Sequence, residues 1–117
     1  MDEKIIDLAD VLRRIQGDKE LLIELVEIFL NDTPQRFQDT ARLIEKADFV
    51  ELADVAHSIK GAASNIGAIK IWQSFKALEE AAKQKDLPQV HHLFQRACAE
   101  FDELKGYFPQ LKSQLTA

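Results

Sequence analysis

The stretch FVELADVAHSIKGAASNIG, residues 49–67, contains the clearest helical pattern of the chain. Its apolar side chains recur at intervals of three and four residues, at Phe49, Leu52, Ala56, Ile59, Ala63 and Ile66. This spacing predicts one amphipathic helix with a buried apolar face. Asp48, with Glu51 three residues later, predicts the start of the helix, and Gly67 predicts its end.

His57 lies one position beyond the buried face of this helix, about 100° around the helix axis. We therefore expect its ring at the edge of the core, with one nitrogen able to face water. Its neighbours on the same side of the helix are Ala53, Lys60, Gly61 and Ser64. Because a glycine inside a helix costs ~1 kcal/mol relative to alanine, Gly61 needs a reason, and close approach by another molecule is the simplest one.

The pattern His57-x-x-Lys60-Gly61, with Gly67 further along, resembles the signature of histidine-containing phosphotransfer (Hpt) domains. The resemblance extends over nearly the whole chain. It implies a small helical bundle that accepts a phosphoryl group on His57 from a receiver-domain aspartate or a kinase, and transfers it to another receiver domain. Such domains have no ATP site of their own. The resemblance implies no cofactor for this chain, since the partner receiver domain supplies the Mg²⁺.

Under this resemblance, each neighbour of His57 acquires a role. The ammonium of Lys60 suits a phosphoryl group that bears almost two negative charges. Ala53, Gly61, Ser64 and Gly67 are expected to form a docking surface for the partner, and Ser64 is also a candidate hydrogen-bond donor to the phosphoryl oxygens. The residues alone leave other readings open: a solvated lysine, a tight helix crossing at the glycine, and a small rim serine.

A reactive imidazole needs an orienting partner, since one ring nitrogen must stay unprotonated while the other holds the proton. In an antiparallel hairpin that turns just after Gly67, the residue opposite His57 is Leu78 or Glu79. The resemblance to the chemotaxis-kinase type, in which a glutamate bonds to the histidine, favours Glu79. The alternative for Glu79 is an exposed side chain that pairs with Lys83 along its own helix.

Two helices are predicted before residue 49. A short amphipathic helix, with a lid position at one end of the fold, is predicted from Ile5, Leu8, Leu12 and Ile15. A longer apolar stripe then includes Leu22, Leu25, Phe29, Thr33, Phe37, Ala41, Ile44 and Ala47. Since this stripe keeps helical phase across Pro34, it favours one long kinked helix, with a true break at the proline as the alternative.

Two further helices are predicted after Gly67. The first buries Phe75, Leu78, Ala82 and either Ile71 or Trp72. The last keeps its phase past Gly106 and Pro109, through Val90, Leu93, Ala97, Phe101, Leu104, Phe108, Leu111 and Leu115. Without alternating strand patterns, the chain is expected to be all-α: a single domain over residues 1–117, with four main antiparallel helices and the N-terminal lid.

Composition restricts the function further. The 117 residues are 46% hydrophobic and 30% charged, which is ordinary for a globular domain. A net charge of -5 argues against nucleic acid as a partner. Cys98, the only cysteine, is expected to be buried, and the adjacent His91 and His92 diverge too far around a helix to chelate one metal ion.

Location and partners follow from the same features. Residues 1–4 lead into no long apolar run, and no stretch approaches the ~20 apolar residues that span a bilayer. We therefore expect a cytoplasmic monomer without direct membrane insertion, or a cytoplasmic module of a membrane-bound hybrid kinase, with response-regulator receiver domains as partners.

Two competing functions need weighing. A non-catalytic helical adaptor is the main alternative, but simple binding gives no reason for the combination of His57, Lys60 and Gly61. A helical-bundle enzyme or metal protein would need inward-facing ligands, which the predicted core lacks.

Overall fold

Aspartates begin four of the five helices in the structure, a computed structural model that describes residues 4–117. The helices are α1 (Leu8–Arg14), α2 (Lys19–Glu45), α3 (Phe49–Asn65), α4 (Ile69–Lys83) and α5 (Leu87–Thr116). The carboxylates of Asp7, Asp18, Asp48 and Asp86 each accept a backbone N–H bond from three residues later, at 3.0 to 3.3 Å. These caps satisfy N–H groups that the helices leave unpaired. Since residues 4–117 contain no strand, the all-helical prediction is confirmed; predicted features at residues 1–3 lie outside the described residues.

The two longest helices run through their prolines without interruption. α2 continues from Lys19 to Glu45 across Pro34, so the interpretation as one helix rather than two is confirmed. α5 likewise continues across Gly106 and Pro109. Of the helices in the described part of the chain, none is long and apolar enough to cross a membrane.

The helices pack in a closed order. α3 packs against α2 and α4, and α5 packs against the same two helices. Phe37 of α2 joins three helices, with its ring centroid 5.4 Å from Phe75 of α4 and 5.8 and 5.1 Å from Phe94 and Phe101 of α5. Aromatic side chains at such separations bury large areas and contribute directly to the core.

The helix around His57 follows its predicted pattern closely. All but the first of the six apolar residues are fully buried; Phe49 is half-buried. The cap at Asp48 and the end of the helix before Gly67 are also confirmed. In α4 the choice between Ile71 and Trp72 is resolved, because Ile71 is buried and Trp72 only half-buried.

Three expectations for other core positions are wrong. In α2, Thr40 is buried and Ala41 exposed; the Thr40 hydroxyl donates to the Arg36 carbonyl at 2.7 Å, which makes its burial tolerable. Ala47 is exposed in the turn after α2, with a positive φ of 53°.

The four apolar residues that predict α1 are half-buried and pack against the core, and the fully buried side chain of this helix is Val11. The third correction concerns α5. Cys98 is half-buried; burial raises the pKa of its thiol, and the Asp102 carboxylate adds to the effect.

The turn between α3 and α4 depends on Gly67 for two reasons. Its φ of 67° lies in the left-handed region, and its backbone is covered by the segment that begins α1. The Asp7 N–H donates to the Gly67 carbonyl at 3.0 Å, and a Cβ placed on Gly67 would lie 2.2 Å from Cγ2 of Val11. Arg14 adds a bond from Nη2 to the Ser64 carbonyl at 2.9 Å. The N-terminal helix is thereby attached to the end of the α3–α4 hairpin.

We predict that Gly67→Ala destabilises the protein by about 1–3 kcal/mol, because the added methyl group meets Val11 and the positive φ disfavours alanine. Urea unfolding measures the change. Gly106→Ala is the matched control: a Cβ there meets nothing within 4 Å, so alanine should raise stability by up to ~1 kcal/mol. Equal effects of the two substitutions would contradict this account of the turn.

Candidate functional site

His57 and Glu79 face each other across the α3–α4 hairpin. The side chain of His57 is 68% exposed, whereas that of Glu79 is only 10% exposed. Nδ1 of His57 lies 3.4 Å from Oε1 and 3.3 Å from Oε2 of Glu79. One edge of the imidazole therefore contacts a buried carboxylate, and of the two residues that the hairpin register places opposite His57, Leu78 and Glu79, the partner is Glu79.

Two lysines bind the same carboxylate from different helices. Nζ of Lys60, one turn beyond His57 on α3, lies 2.9 Å from Oε1 of Glu79. Nζ of Lys83, one turn beyond Glu79 on α4, lies 3.3 Å from Oε2. Each carboxylate oxygen thus has its own ammonium partner, and the imidazole lies next to both oxygens.

These contacts decide the charge of Glu79. Burial alone would raise its pKa, but the hydrogen bonds from Lys60, Lys83 and His57 outweigh burial and hold the pKa below its ordinary value of 4.5. At neutral pH Glu79 is therefore ionised and can only accept hydrogen bonds.

The charge of Glu79 in turn decides the tautomer of His57. A neutral His57 that bonds to this carboxylate carries its proton on Nδ1 and has a lone pair on Nε2, at the far edge of an exposed ring. The arrangement presents a nucleophilic nitrogen to an incoming molecule.

Lys60 is not the freely solvated side chain that the alternative reading describes. Its side chain is 22% exposed, and its ammonium is paired with Glu79. Both lysine and carboxylate therefore belong to one cluster with His57, and neither is an isolated surface charge.

The surface beside Gly61 is open. Gly61 is exposed, and a Cβ built on it would meet nothing within 4 Å, so a tight helix crossing does not explain this glycine. The residue after it, Ala62, lines a groove between α2 and α3, together with Leu25, Ile28, Phe29, Asp32, Thr33, Arg36, Asn65 and Ile66. We call this the α2–α3 groove. Ile28 is 55% exposed at its edge.

The other three residues expected in the docking surface, Ala53, Gly67 and Ser64, do not share the open surroundings of Gly61 near His57. Ala53 is only 9% exposed, so its methyl group belongs to the core and contributes almost no outer surface. Gly67 is buried against Asp7 and Val11 and serves the turn, so it offers no open surface to a partner. Ser64 is exposed, but seven helical residues place it about 10 Å along the axis from His57. That separation does not support a hydrogen bond to a phosphoryl group on His57.

Sequence reasoning missed three features of this region. It treated the Lys83 pair as an alternative to the His57 contact, whereas Glu79 makes both contacts at once. It also passed over Ile28, although this isoleucine directly precedes the buried Phe29 and therefore lies off the apolar stripe of α2, where exposure is expected. Arg36, whose Nη1 donates to Oγ of Ser58 at 2.7 Å, could not be placed without the packing of α2 on α3.

Comparisons with known proteins agree with this geometry. The sequence profile of the Hpt domain family matches residues 24–115. No curated protein sequence matches the chain. Among solved structures, histidine-containing phosphotransfer protein B from Pseudomonas aeruginosa PAO1 is similar, with 24% identity, a TM-score of 0.85, and coverage of 97% of this chain and 98% of that one.

A histidine-containing phosphotransfer protein from maize is similar as well, with 21% identity, a TM-score of 0.79, and coverage of 95% and 87% of the two chains. At these identities the two structures show a common fold, while the profile match over most of the chain shows the family. The chain therefore belongs to the Hpt domain family, and its role is that of a phosphorelay intermediate in two-component signalling.

Proposed function

We propose that His57 is the residue that carries the phosphoryl group, and that it exchanges this group with aspartates of response-regulator receiver domains or receives it from a hybrid sensor histidine kinase. The observation that carries this proposal is the contact between Nδ1 of His57 and the ionised, buried carboxylate of Glu79. It fixes a lone pair on the exposed nitrogen, as a nucleophile requires.

The transfer step follows from this arrangement. The Nε2 lone pair attacks the phosphorus of an aspartyl phosphate, a P–N bond forms, and the P–O bond to the aspartate breaks with its electron pair leaving on the aspartate carboxylate. The proton on Nδ1 stays in place, so the phosphorylated ring is positively charged. Glu79 stabilises this charge as it develops, and transfer to an acceptor aspartate reverses every step.

Lys60 is the proposed partner of the phosphoryl oxygens. It is one turn from His57 on the same helix, and its flexible side chain can redirect the ammonium from Glu79 towards the transferring group. The chain needs no cofactor for this chemistry. The receiver domain supplies Mg²⁺ and its own acidic cluster, and the Hpt domain acts as a carrier without an ATP site rather than as an enzyme.

The receiver domain is proposed to dock over Gly61 and the α2–α3 groove, with Ser64 at the rim. The donor aspartate must align with Nε2, and a side chain at position 61 would hold the two proteins apart. The open space at Gly61 and the mainly apolar lining of the groove, with Ile28 at its edge, support this surface.

The wider setting belongs to the same proposal. We treat residues 1–117 as one domain, an antiparallel four-helix bundle of α2 to α5 with α1 as a lid. The attachment of α1 to the α3–α4 turn supports this description. The domain is proposed to act as a cytoplasmic monomer, or as the cytoplasmic module of a larger kinase.

The first prediction is that His57→Gln keeps the helical fold and loses phosphoryl acceptance, because glutamine offers no nucleophilic ring nitrogen. The measurement is acid-labile, base-stable phosphate after incubation with phosphorylated receiver domains. His92→Gln, at an exposed position on α5, is the control and should label like the wild type. Wild-type labelling of the His57 variant would refute the assignment.

The second prediction concerns clearance at Gly61. Gly61→Gln should slow transfer from a receiver domain at least tenfold, while phosphorylation by phosphoramidate, a small donor, changes little. Gly106→Gln, at an equally open helical glycine, should leave both rates unchanged. Equal loss with both donors would show that position 61 affects the site itself and not the approach of the partner.

The third prediction uses the lowered pKa of Glu79. Because the pKa is lower in the folded protein than in the unfolded chain, ionised Glu79 stabilises the fold above pH 4.5, and this contribution is lost as the pH falls through the folded-state pKa. Glu79→Gln should therefore lower the free energy of unfolding at neutral pH, by an amount that shrinks on acidification. Glu80→Gln, which removes the charge of an exposed neighbour, is the matched control and should leave the free energy of unfolding nearly unchanged. A constant difference between wild type and Glu79→Gln down to pH 3 would contradict the assignment.

A further inference from the structure

Glu79 holds more positive partners than the orientation of one imidazole requires. Lys60 binds Oε1 and Lys83 binds Oε2, while Nδ1 of His57 lies within 3.4 Å of both oxygens. Either lysine alone would provide a counter-charge for the carboxylate. The presence of one lysine on each oxygen therefore calls for a separate reason.

The proposed transfer step provides that reason. In the unphosphorylated protein the Lys60 ammonium is bound to Glu79, on the side of the ring that carries Nδ1. The phosphoryl group forms on Nε2, at the opposite edge of the ring. Lys60 must therefore weaken or leave its contact with Glu79 when it turns towards the phosphoryl oxygens.

Loss of Lys60 would be costly for a carboxylate with only one lysine. The side chain of Glu79 is 10% exposed, so water cannot replace a departing ammonium fully. A carboxylate left with too few donors would become easier to protonate or would turn towards solvent. Either change would weaken the hydrogen bond that Nδ1 donates to Glu79, just as the ring becomes positively charged.

Lys83 is placed to prevent this loss. It follows Glu79 by four residues on α4, with the glutamate on the N-terminal side, which is the favourable orientation of such a pair. It also lies in the last turn of α4, where the helix dipole favours a positive charge. Its side chain is 57% exposed, and its ammonium lies 3.3 Å from Oε2, the oxygen that Lys60 does not bind.

We propose that Lys83 is a positioning residue that holds Oε2 of Glu79, so that Glu79 keeps its bond to Nδ1 of His57 while Lys60 changes partner from Glu79 to the phosphoryl group. This inference rests on the proposed function of His57. It assigns the two lysines different tasks: Lys60 contacts the transferring group, and Lys83 acts only through Glu79.

The test compares Lys83→Gln with Lys105→Gln, which removes a charge from an exposed lysine of α5 that forms no ion pair within residues 4–117. Long-range ¹H–¹⁵N NMR spectra of the unphosphorylated proteins report the tautomer of the neutral His57 ring. Lys83→Gln should reduce the fraction with the proton on Nδ1 and slow phosphorylation by phosphoramidate about two- to fivefold, the range expected of a partly exposed ion pair. Lys105→Gln should match the wild type, and Lys83→Arg should restore both properties.

Each other outcome overturns the proposal in a recognisable way. Slower phosphorylation with an unchanged tautomer would mean that Lys83 acts directly on the phosphoryl group. A changed tautomer with an unchanged rate would mean that its hold on Glu79 does not matter for transfer, and no change in either would remove any role. A wild-type protein that accepts no phosphoryl group on His57 would refute the proposed function, whereas the tautomer comparison needs no phosphorylation and still decides the contact with Glu79.

Discussion

A carboxylate that is almost removed from water must be surrounded by hydrogen-bond donors, and Glu79 imposes this constraint on the whole site. Its donors come from two helices, because His57 and Lys60 belong to α3 and Lys83 belongs to α4. A shift of one helix along the other would leave a buried charge without partners. The same contacts that make the imidazole nucleophilic therefore fix the relative position of α3 and α4.

The geometry of a single turn maintains this register. Gly67 lets the chain reverse with a positive φ, and its missing side chain leaves room for Val11 of α1. The backbone bond between Asp7 and Gly67 attaches the N-terminal segment to the turn. Gly67, which is expected in the docking surface, thus serves the turn between α3 and α4. The position of this turn sets which residues of α4 lie opposite His57.

Periodicity predicted most of the helices because burial of one helix face is decided locally, residue by residue. The buried face of α3 and the continuity of α2 through Pro34 were accessible in this way. The choice between Thr40 and Ala41 was not, since the threonine hydroxyl is satisfied by its own helix backbone and an apolar pattern cannot show this.

The same distinction applies to the functional site, where some contacts follow from residue spacing and others depend on side-chain conformation. Counting residues outward from the turn leaves Leu78 or Glu79 opposite His57, and the resemblance to the chemotaxis-kinase type favours Glu79, so this pairing is accessible to sequence reasoning. The contact of Lys60 with Glu79 depends on the path of a long flexible side chain, which spacing does not determine. The bridge from Ser74 to Glu100 and Arg96 between α4 and α5 was likewise invisible, because polar residues next to a buried stripe normally face water.

The balance of charge connects these contacts to phosphoryl transfer. Two lysines face one carboxylate, so the cluster holds one positive charge in excess while the imidazole is neutral, although the chain as a whole carries a net charge of -5. This local excess favours the phosphoryl group that we propose His57 accepts. After the proposed transfer the ring would be positive and the phosphoryl oxygens negative, so the carboxylate and an ammonium would stabilise opposite ends of the same group. A carboxylate alone would repel the phosphoryl oxygens, and lysines alone would disfavour the charged ring; transfer in both directions therefore requires both kinds of charge within reach of one imidazole.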